Sequence, residues 1–260
     1  MAGRLVGEHV LVTGGAQGIG AAIVDVALRE GAQVSFVDVD EARGRQREAD
    51  GQQQEERIAF TPADVRDARS VGQAVQQLFE AQGQAVTGLV NNAGRNSYAD
   101  PVHMTEADWD DTFAVDLKGA WLCSRAVLPG MLSGRHGSIV NIASVHASLT
   151  QAGMFPYAAA KSGLVGLTRS LALEVASSQI RVNAVSPGYT MTPLLEDYFA
   201  NQAPEGELDR VLERHPLGRI ATPTEIAEVV CVLLSPAASF VSGAEWPVDG
   251  AFGARFAREG

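Results

Sequence analysis

Cysteine and long apolar runs are scarce in this chain of 260 residues. Its two cysteines, Cys123 and Cys231, are too few for a disulfide framework and lack metal-ligand spacing. No apolar run reaches the roughly 18 residues of a membrane span, and the first residues lack the pattern of a secretory signal peptide. Because the five histidines also form no ligand cluster, the sequence predicts a cytoplasmic protein with no metal site and no membrane partner.

Positive charge is in short supply as well. Lysine and arginine together number 20 against 31 acidic residues, which gives a net charge of −11. Such a chain repels phosphate backbones and anionic surfaces, so we expect no nucleic acid partner. Only Lys118 and Lys161 are lysines, so the choice of lysine over arginine at these two positions is informative.

Hydrophobic residues, in contrast, make up 46% of the chain and form short apolar runs that alternate with helical patterns. This alternation predicts the α/β class: a single-domain Rossmann-type doubly wound parallel sheet with helices on both faces, covering residues 1–260. Two of the predicted helices are long and span 105–132 and 153–176. Ligands of such folds bind at the carboxyl ends of the strands, where the strand order reverses.

A glycine-rich segment, "TGGAQGIG", follows the first predicted strand and opens the first helix. Its glycines permit a sharp turn, and the free N–H groups of the following helix can bind phosphates. The alternative is a tight turn without a ligand, but a strand–loop–helix context is what dinucleotide sites require. The candidate cofactor residues here are Gly14, Gln17, Gly18, Ile19 and Gly20.

The second predicted strand ends at Asp38. A carboxylate at this position can accept hydrogen bonds from the adenosine ribose hydroxyls and would repel a 2′-phosphate. Gln17 offers no charge to pair with such a phosphate, so the pattern favours NAD over NADP as the cofactor. The alternatives are that Asp38 is only a turn residue or that Asp40 fills this role.

The next two strand ends also carry candidate cofactor residues. Asp64 and Val65 follow the third strand, where Asp64 could accept a hydrogen bond from the adenine amine; helix capping by Asp64 is the alternative. The fourth strand ends in "NNAG", whose small residues would let a cofactor lie close over the sheet. The candidates in this segment are Asn91, Ala93 and Gly94.

Tyr157 and Lys161 stand four residues apart in "YAAAK", which places them on one face of a predicted helix. An ammonium beside a phenol favours the phenolate, which would let the tyrosine act as a base near neutral pH. Lysine fits this task better than arginine, because it is a compact charge that can also pass a proton.

Taken together, these motifs resemble those of the classical short-chain dehydrogenase/reductase family. The shared elements are "TGGAQGIG", "NNAG", the strand end "NIAS", "YAAAK" and a later "PG" turn, and they cover about the whole chain in order. The resemblance implies an NAD-dependent enzyme acting on CH–OH groups, with Tyr157 as general acid/base, Lys161 as its charged partner and Ser144 bonded to the substrate oxygen. The alternative is a buried serine and a Tyr–Lys pair on a helix surface.

One position departs from the family pattern. Where the family usually has asparagine, "VDLKG" places Asp116. The resemblance implies that the main-chain carbonyl here takes part in a proton relay, a role that any residue can fill. A carboxylate close to Lys161 would oppose the help that this lysine gives to Tyr157, so we expect Asp116 to alter the catalytic group.

The resemblance also implies cofactor contacts after the sixth strand, through Pro187, Gly188, Thr190 and Thr192. It implies cofactor contacts from Tyr157 and Lys161 too, with the Lys161 ammonium holding the nicotinamide ribose. Residues 190–215 are rich in acidic and polar side chains and predict a substrate lid. An ordinary pair of surface helices is the alternative.

Candidate substrate contacts flank the catalytic positions; they are Arg95, Asn96, Ser144, His146, Gln151, Phe155, Tyr157 and Tyr189. This set is polar for a sterol or acyl chain, whereas a polyol needs many paired donors and acceptors. The context resembles the sugar (aldose 1-) dehydrogenases, which implies a sugar substrate oxidised to its lactone. The alternatives are another secondary alcohol or ketone of acyl, polyol or steroid type, and a non-catalytic dinucleotide-binding regulator.

The helices around Phe113 and Leu167 carry more apolar residues than packing on one sheet face requires. Together with the assembly that is usual in the family, this excess predicts a homo-oligomer, specifically a tetramer.

Overall fold

The computed structural model describes residues 3–254, and seven parallel strands form one sheet within them. The strands are β1 (His9–Thr13), β2 (Gln33–Asp38), β3 (Ile58–Pro62), β4 (Gly88–Asn91), β5 (Gly137–Ile142), β6 (Ile180–Pro187) and β7 (Glu245–Val248). Their order across the sheet is β3-β2-β1-β4-β5-β6-β7, and each neighbouring pair is parallel.

Helices connect the strands and cover both faces of the sheet. They are α1 (Gly18–Arg29), α2 (Glu41–Gln53), α3 (Ala68–Gln82), α4 (Glu106–Phe113), α5 (Gly119–Gly134), α6 (Tyr157–Val175), α7 (Pro193–Asn201), α8 (Glu207–Arg214) and α9 (Pro223–Leu234). This confirms the predicted doubly wound α/β sheet. In the part of the chain that the structure describes, no helix is both long and apolar enough to cross a membrane.

The core consists of two apolar layers, one on each face of the sheet. Successive strand residues point to opposite faces, so Val12 packs with Ile23 of α1 and Ile226 of α9, whereas Leu11 packs with Leu78 of α3 on the other side. All five side chains are at most 1% exposed, and burial of each stabilises the fold by about 1.5–3 kcal/mol.

The strand order reverses at β1, whose neighbours are β2 on one side and β4 on the other. The connections that leave these strands run to opposite faces, which opens a crevice at the carboxyl ends of β1 and β4. Most of the candidate site residues follow these strands or the adjacent ends of β5 and β6.

One predicted helix boundary was wrong. The helix expected over 153–176 begins at Tyr157 rather than at Gly153, because Pro156 disfavours helical backbone in the residue before it. Tyr157 is therefore the first residue of α6 rather than a residue one turn inside the helix.

The long helix predicted over 105–132 is divided. A π-helical turn at Ala114–Lys118 separates α4 from α5, so the backbone carries an extra residue in that turn. Asp116 lies in the middle of this turn and is buried with 1% of its surface exposed. The turn thus brings a carboxylate into the interior beneath the crevice.

Candidate active site

The glycine loop between β1 and α1 has the geometry of a phosphate site. Gly14 and Gly18 have φ values of +65° and +59°, which side chains rarely adopt. A Cβ on Gly20 would lie 1.9 Å from the Gly14 carbonyl oxygen. Gln17 gives α1 no side-chain cap, so the first N–H groups of this helix, including those of Ile19 and Gly20, are available to an anion.

Asn92 holds this loop against the end of β4. Its Nδ2 donates to the carbonyl oxygens of Thr13 and Gly14, each at 3.0 Å. The Thr13 hydroxyl in turn accepts from the N–H groups of Asn92 and Ala93, each at 3.0 Å. The sequence prediction missed Asn92, although it is the second residue of "NNAG".

The structure places the Asn91 side chain away from this loop. Its amide donates to Asn141 Oδ1 at 2.8 Å and to Ser124 Oγ at 3.2 Å, inside the protein. Asn141 then donates to Thr168 Oγ1 of α6 at 2.8 Å. A contact from Asn91 to a cofactor would therefore have to come from its main chain, whereas its side chain ties β4 and β5 to α5 and α6.

Asp38 lies beside the glycine loop, as expected. Its carboxylate accepts the Ala16 N–H and the Asp40 N–H, each at 3.0 Å. A guanidinium that the sequence analysis overlooked lies nearby, because Arg43 donates to the Gln17 side chain and pairs with Asp40 at 3.4 Å. The adenosine end of the crevice therefore contains both a carboxylate and an arginine.

Asp64 is engaged by Arg66, which donates to both of its carboxylate oxygens. This pairing lowers the pKa of Asp64. Arg66 also pairs with Asp111, which pairs with Arg95, so the four side chains form a chain of ion pairs along the rim. Asp64 is thus less available to adenine than expected, while the neighbouring Val65 is buried and its methyl group lies 2.9 Å from a Cβ built on Gly119.

The segment after β6 approaches the glycine loop from the other side. The Thr192 methyl group lies 3.4 Å from a Cβ built on Gly18, and its hydroxyl caps α7. Thr190 donates to the Gly188 carbonyl oxygen at 3.3 Å. Pro187 ends β6, so all four predicted residues of this segment lie near the crevice.

Lys161 and Tyr157 share one face of the first turns of α6. The Lys161 Nζ lies 5.6 Å from the centre of the Tyr157 ring and donates to the Ile142 carbonyl oxygen at 3.1 Å. Lys161 is only 4% exposed. A buried ammonium needs nearby negative charge or dipoles. Here the Ile142 carbonyl group at the end of β5 supplies a dipole, and the Asp116 carboxylate supplies the charge.

The Asp116 carboxylate completes this arrangement. Its Oδ1 lies 3.3 Å from Lys161 Nζ and accepts the Arg95 N–H at 3.3 Å. Its buried Oδ2 has no hydrogen-bond partner among the described residues. Burial raises the pKa of Asp116, and the charge of Lys161 partly offsets that rise.

Ser144 lies at the end of β5 and caps the short helical turn that follows. Its Oγ accepts the His146 N–H at 3.2 Å, which leaves the hydroxyl hydrogen available to a substrate oxygen. The His146 ring centre is 6.2 Å from that of Tyr157, and burial lowers the pKa of His146. Tyr98, which the sequence analysis did not select, lies edge-on to Tyr157 at 6.1 Å.

The other predicted substrate residues surround this centre. The Phe155 ring packs on that of Trp109 with 5.7 Å between ring centres, and the Tyr189 ring lies edge-on to His215 with 5.4 Å between ring centres. Gln151 accepts a hydrogen bond from Arg214 at 3.2 Å, so the loop before α6 is joined to α8. Arg95 and Asn96 are exposed at the rim, where the Arg95 guanidinium is already paired with Asp111.

Within residues 3–254, no group of three or more histidine, cysteine or acidic side chains could hold a metal ion. The centre instead combines a phenol, an ammonium and a hydroxyl at the end of a dinucleotide crevice.

Comparison with known proteins identifies the family to which the chain belongs. A family model described as enoyl-(acyl carrier protein) reductase matches residues 14–252. The chain is 38% identical over 251 residues to 2-(S)-hydroxypropyl-CoM dehydrogenase 3 of Xanthobacter autotrophicus, covering 96% of this chain and 98% of that protein. It is 37% identical over 249 residues to 3-oxoacyl-[acyl-carrier-protein] reductase FabG of Thermotoga maritima, covering 95% of this chain and 98% of that protein.

Solved structures agree. A candidate gluconate dehydrogenase from Agrobacterium tumefaciens superposes with a TM-score of 0.91 at 29% identity, covering 97% of this chain and 98% of that one. The chain belongs to the classical short-chain dehydrogenase/reductase family. It is accordingly an oxidoreductase of secondary alcohols or ketones that uses a nicotinamide cofactor.

Proposed function

We propose that this protein is an NAD-dependent dehydrogenase that interconverts a secondary alcohol and its ketone. The observation that carries the proposal is the buried Lys161 ammonium, 5.6 Å from the Tyr157 ring centre at the carboxyl end of β5. Burying an ammonium beside a phenol costs free energy and contributes little to packing. The arrangement makes chemical sense where the phenol must gain and lose a proton.

The proton is moved by Tyr157. In oxidation the phenolate oxygen takes the proton of the substrate hydroxyl, and in reduction the phenol returns a proton to the carbonyl oxygen. Ser144 donates a hydrogen bond to the same substrate oxygen, which stabilises the charge that develops there. When bound, the nicotinamide cofactor supplies hydride transfer to or from the carbon.

The residues around the crevice fit NAD. The uncapped start of α1 would hold the diphosphate, with Thr192 beside it. Each oxygen of the Asp38 carboxylate accepts one backbone N–H and has a further lone pair for a ribose hydroxyl. A 2′-phosphate would meet this negative charge at close range, which supports the choice of NAD over NADP.

The simplest test is absorbance of the reduced cofactor, with NAD and a panel of secondary alcohols, and with NADH and the matching ketones. The Tyr157→Phe variant removes the proton donor and should lower kcat by about 10²–10⁴-fold with little change in cofactor affinity. Turnover that survives this substitution would contradict the role of Tyr157.

A second candidate is the oxidation of an aldose to its lactone. The ring centres of Tyr98 and His146 lie 6.1 and 6.2 Å from that of Tyr157, and Ser144 accepts the His146 N–H. The hydroxyl and imidazole groups of these three residues could pair with sugar hydroxyls. The structural similarity to a candidate gluconate dehydrogenase supports a polyhydroxylated substrate but not lactone formation, because gluconate has no anomeric carbon. The panel should therefore contain aldoses and sugar acids beside 3-hydroxyacyl thioesters and aryl alcohols. An aldose kcat/KM below that of the simple alcohols would eliminate the sugar assignment and leave the alcohol assignment intact.

A further inference from the structure

The carboxylate of Asp116 has no task in the mechanism above, yet it is the most deeply buried acidic group at the centre. We propose that Asp116 makes Tyr157 keep its proton to higher pH, and thereby suits this enzyme to ketone reduction rather than alcohol oxidation near neutral pH. The inference rests on the proposed function and assigns Asp116 a positioning role that acts through Lys161.

The local geometry shows that the carboxylate is held against the lysine. The Asp116 side chain is 0% exposed and that of Lys161 is 5% exposed, with 3.3 Å between Oδ1 and Nζ. A Cβ on Gly94 would lie 2.8 Å from that Oδ1 and 3.3 Å from Nζ. Glycine at position 94 thus leaves the space in which the two charges meet.

This pairing changes what Lys161 can do for Tyr157. An isolated ammonium next to a phenol stabilises the phenolate. Once a carboxylate lies on the ammonium, the two charges act as a dipole, and part of that stabilisation is cancelled. Because the two side chains are only 5% and 0% exposed, bulk solvent and salt screen the effect weakly.

The other groups around Asp116 do not reverse this effect. The Arg95 guanidinium is drawn away to Asp111 at the rim, and only its main-chain N–H contacts Asp116. His146 faces Tyr157 from the β5 side, and burial lowers its pKa. Lys161 is therefore the cation that the Asp116 carboxylate opposes.

Tyr98 and Tyr189 are the remaining titratable groups on this side. Burial is the main cause that raises the pKa of Tyr98 to about 12, and the neighbouring Tyr157, Tyr189 and Asp116 add smaller contributions. Tyr98 lies 6.1 Å from Tyr157, ring centre to ring centre, and carries no positive charge that could offset Asp116.

The two directions of the reaction need opposite forms of Tyr157. In reduction, a hydride passes from reduced nicotinamide to the carbonyl carbon, the C–O π bond breaks, and the oxygen takes the phenol proton. The phenolate then regains a proton from solvent. In oxidation the phenolate must be present first, to accept the hydroxyl proton as hydride leaves the carbon. Asp116 cannot change the overall equilibrium, but it moves the pH range in which each direction is fast.

The test measures kcat/KM in both directions between about pH 6 and pH 10 for the natural chain and for Asp116→Asn. In the variant, the acidic limb of the pH profile for oxidation and the alkaline limb of the profile for reduction should both move to lower pH, because Tyr157 loses its proton more easily. We expect a shift on the order of one pH unit, as for one unit charge at roughly 10 Å and an effective dielectric constant of about 20. At neutral pH the variant should gain oxidation rate by up to about tenfold.

A matched control is Glu106→Gln, which removes one negative charge from the exposed start of α4. Solvent screens this charge and the Arg95–Asp111 pair stays intact, so both limbs should stay in place. If Glu106→Gln shifts the limbs as far as Asp116→Asn does, the effect comes from net charge and the proposal is overturned.

A second readout needs no turnover. Tyrosinate absorbance is titrated in the free protein, with and without Tyr157→Phe, so that the difference isolates Tyr157. Asp116→Asn should move this difference titration to lower pH, and Asp116→Ser serves if the asparagine variant folds poorly. An unmoved titration overturns the inference even if the enzyme is active, whereas a shift in a protein without dehydrogenase activity overturns only the proposed function.

Discussion

At the scale of single residues, we expect the choice between NAD and NADP to be made at the end of the crevice beside Asp38. Asp38 presents a carboxylate to the ribose position, while Arg43 is held back by the Gln17 side chain and by Asp40. The Asp38 carboxylate is therefore fixed by two backbone N–H donors, whereas the Arg43 guanidinium is exposed and engaged by two side chains. We expect this arrangement to favour a cofactor without a 2′-phosphate.

We therefore predict at least a tenfold higher kcat/KM with NAD than with NADP, equivalent to about 1.4 kcal/mol. Replacing Asp38 with Ser should reduce this ratio, because repulsion of the 2′-phosphate is lost. Replacing Arg43 with Ala in the Asp38→Ser background should then lower the NADP rate again. Equal rates with both cofactors in the unaltered enzyme would show that Asp38 is only a turn residue.

The residue scale also shows what the sequence could and could not predict. The Tyr157–Lys161 pair, the glycine loop and the proximity of Asp116 to Lys161 follow from local spacing and from the family resemblance. The contacts of Asn92 and Tyr98 do not, because they join segments that are distant along the chain. Strand alternation was the signal for Asn92, since the side chains of Asn91 and Asn92 must point in different directions.

At the scale of secondary structure elements, the glycine loop and α1 form the most sterically constrained part of the site. A methyl group on Gly20 would overlap the Gly14 carbonyl oxygen at 1.9 Å, and it would lie 2.5 Å from the Asn92 amide. The loop could accommodate it only by losing the hydrogen bonds that Asn92 makes to β1.

We expect Gly20→Ala to abolish detectable NAD binding by calorimetry and to lower the Tm by several degrees, as for about 1–3 kcal/mol of overpacking. Gly72→Ala is the matched control. Gly72 lies inside α3, and a Cβ there would meet nothing within 4 Å. That variant should bind NAD normally and gain about 0.4–1 kcal/mol of stability. Unchanged NAD affinity in Gly20→Ala would contradict the assignment of the loop.

The element boundaries that the sequence misplaced have local causes. Helical periodicity continues through both Pro156 and the π-helical turn at Ala114–Lys118, so periodicity alone does not reveal either break. Pro156 and the extra backbone residue of the π-helical turn each change the helix within a single turn. Of these two local features, the π-helical turn is the one that contains the buried Asp116.

The substrate lid over 190–215 stays a prediction. Helices α7 and α8 lie in that range, and Arg214 joins α8 to Gln151.

At the scale of the whole molecule, an apolar groove crosses the outer surfaces of α4, α5 and α6. Its apolar lining includes Phe113, Leu117, Trp121 and Leu167. Trp121 is 44% exposed, and Leu173 further along α6 is 82% exposed. Large exposed side chains grouped on neighbouring helices are typical of surfaces that associate.

We predict that this groove joins copies of the chain in a homotetramer. Light scattering at micromolar concentration should give a mass near four times 27.4 kDa. Trp121→Glu should dissociate the assembly, because it places a charge in an apolar contact. Val102→Glu, at an exposed apolar residue outside the groove, should leave the mass unchanged. A single-chain mass for the natural protein would refute the prediction.

The contrast between the two lysines has a practical consequence for labelling chemistry. Lys161 is buried beneath Tyr157, whereas Lys118 is exposed and lines the groove on α4–α6. An amine-reactive dye would therefore modify Lys118 and spare Lys161. Subunits that meet over the groove would shield Lys118, so its acylation should be slow in concentrated solution and faster on dilution. The scarcity of lysine thus gives the chain one accessible lysine, Lys118, that reports on its own association.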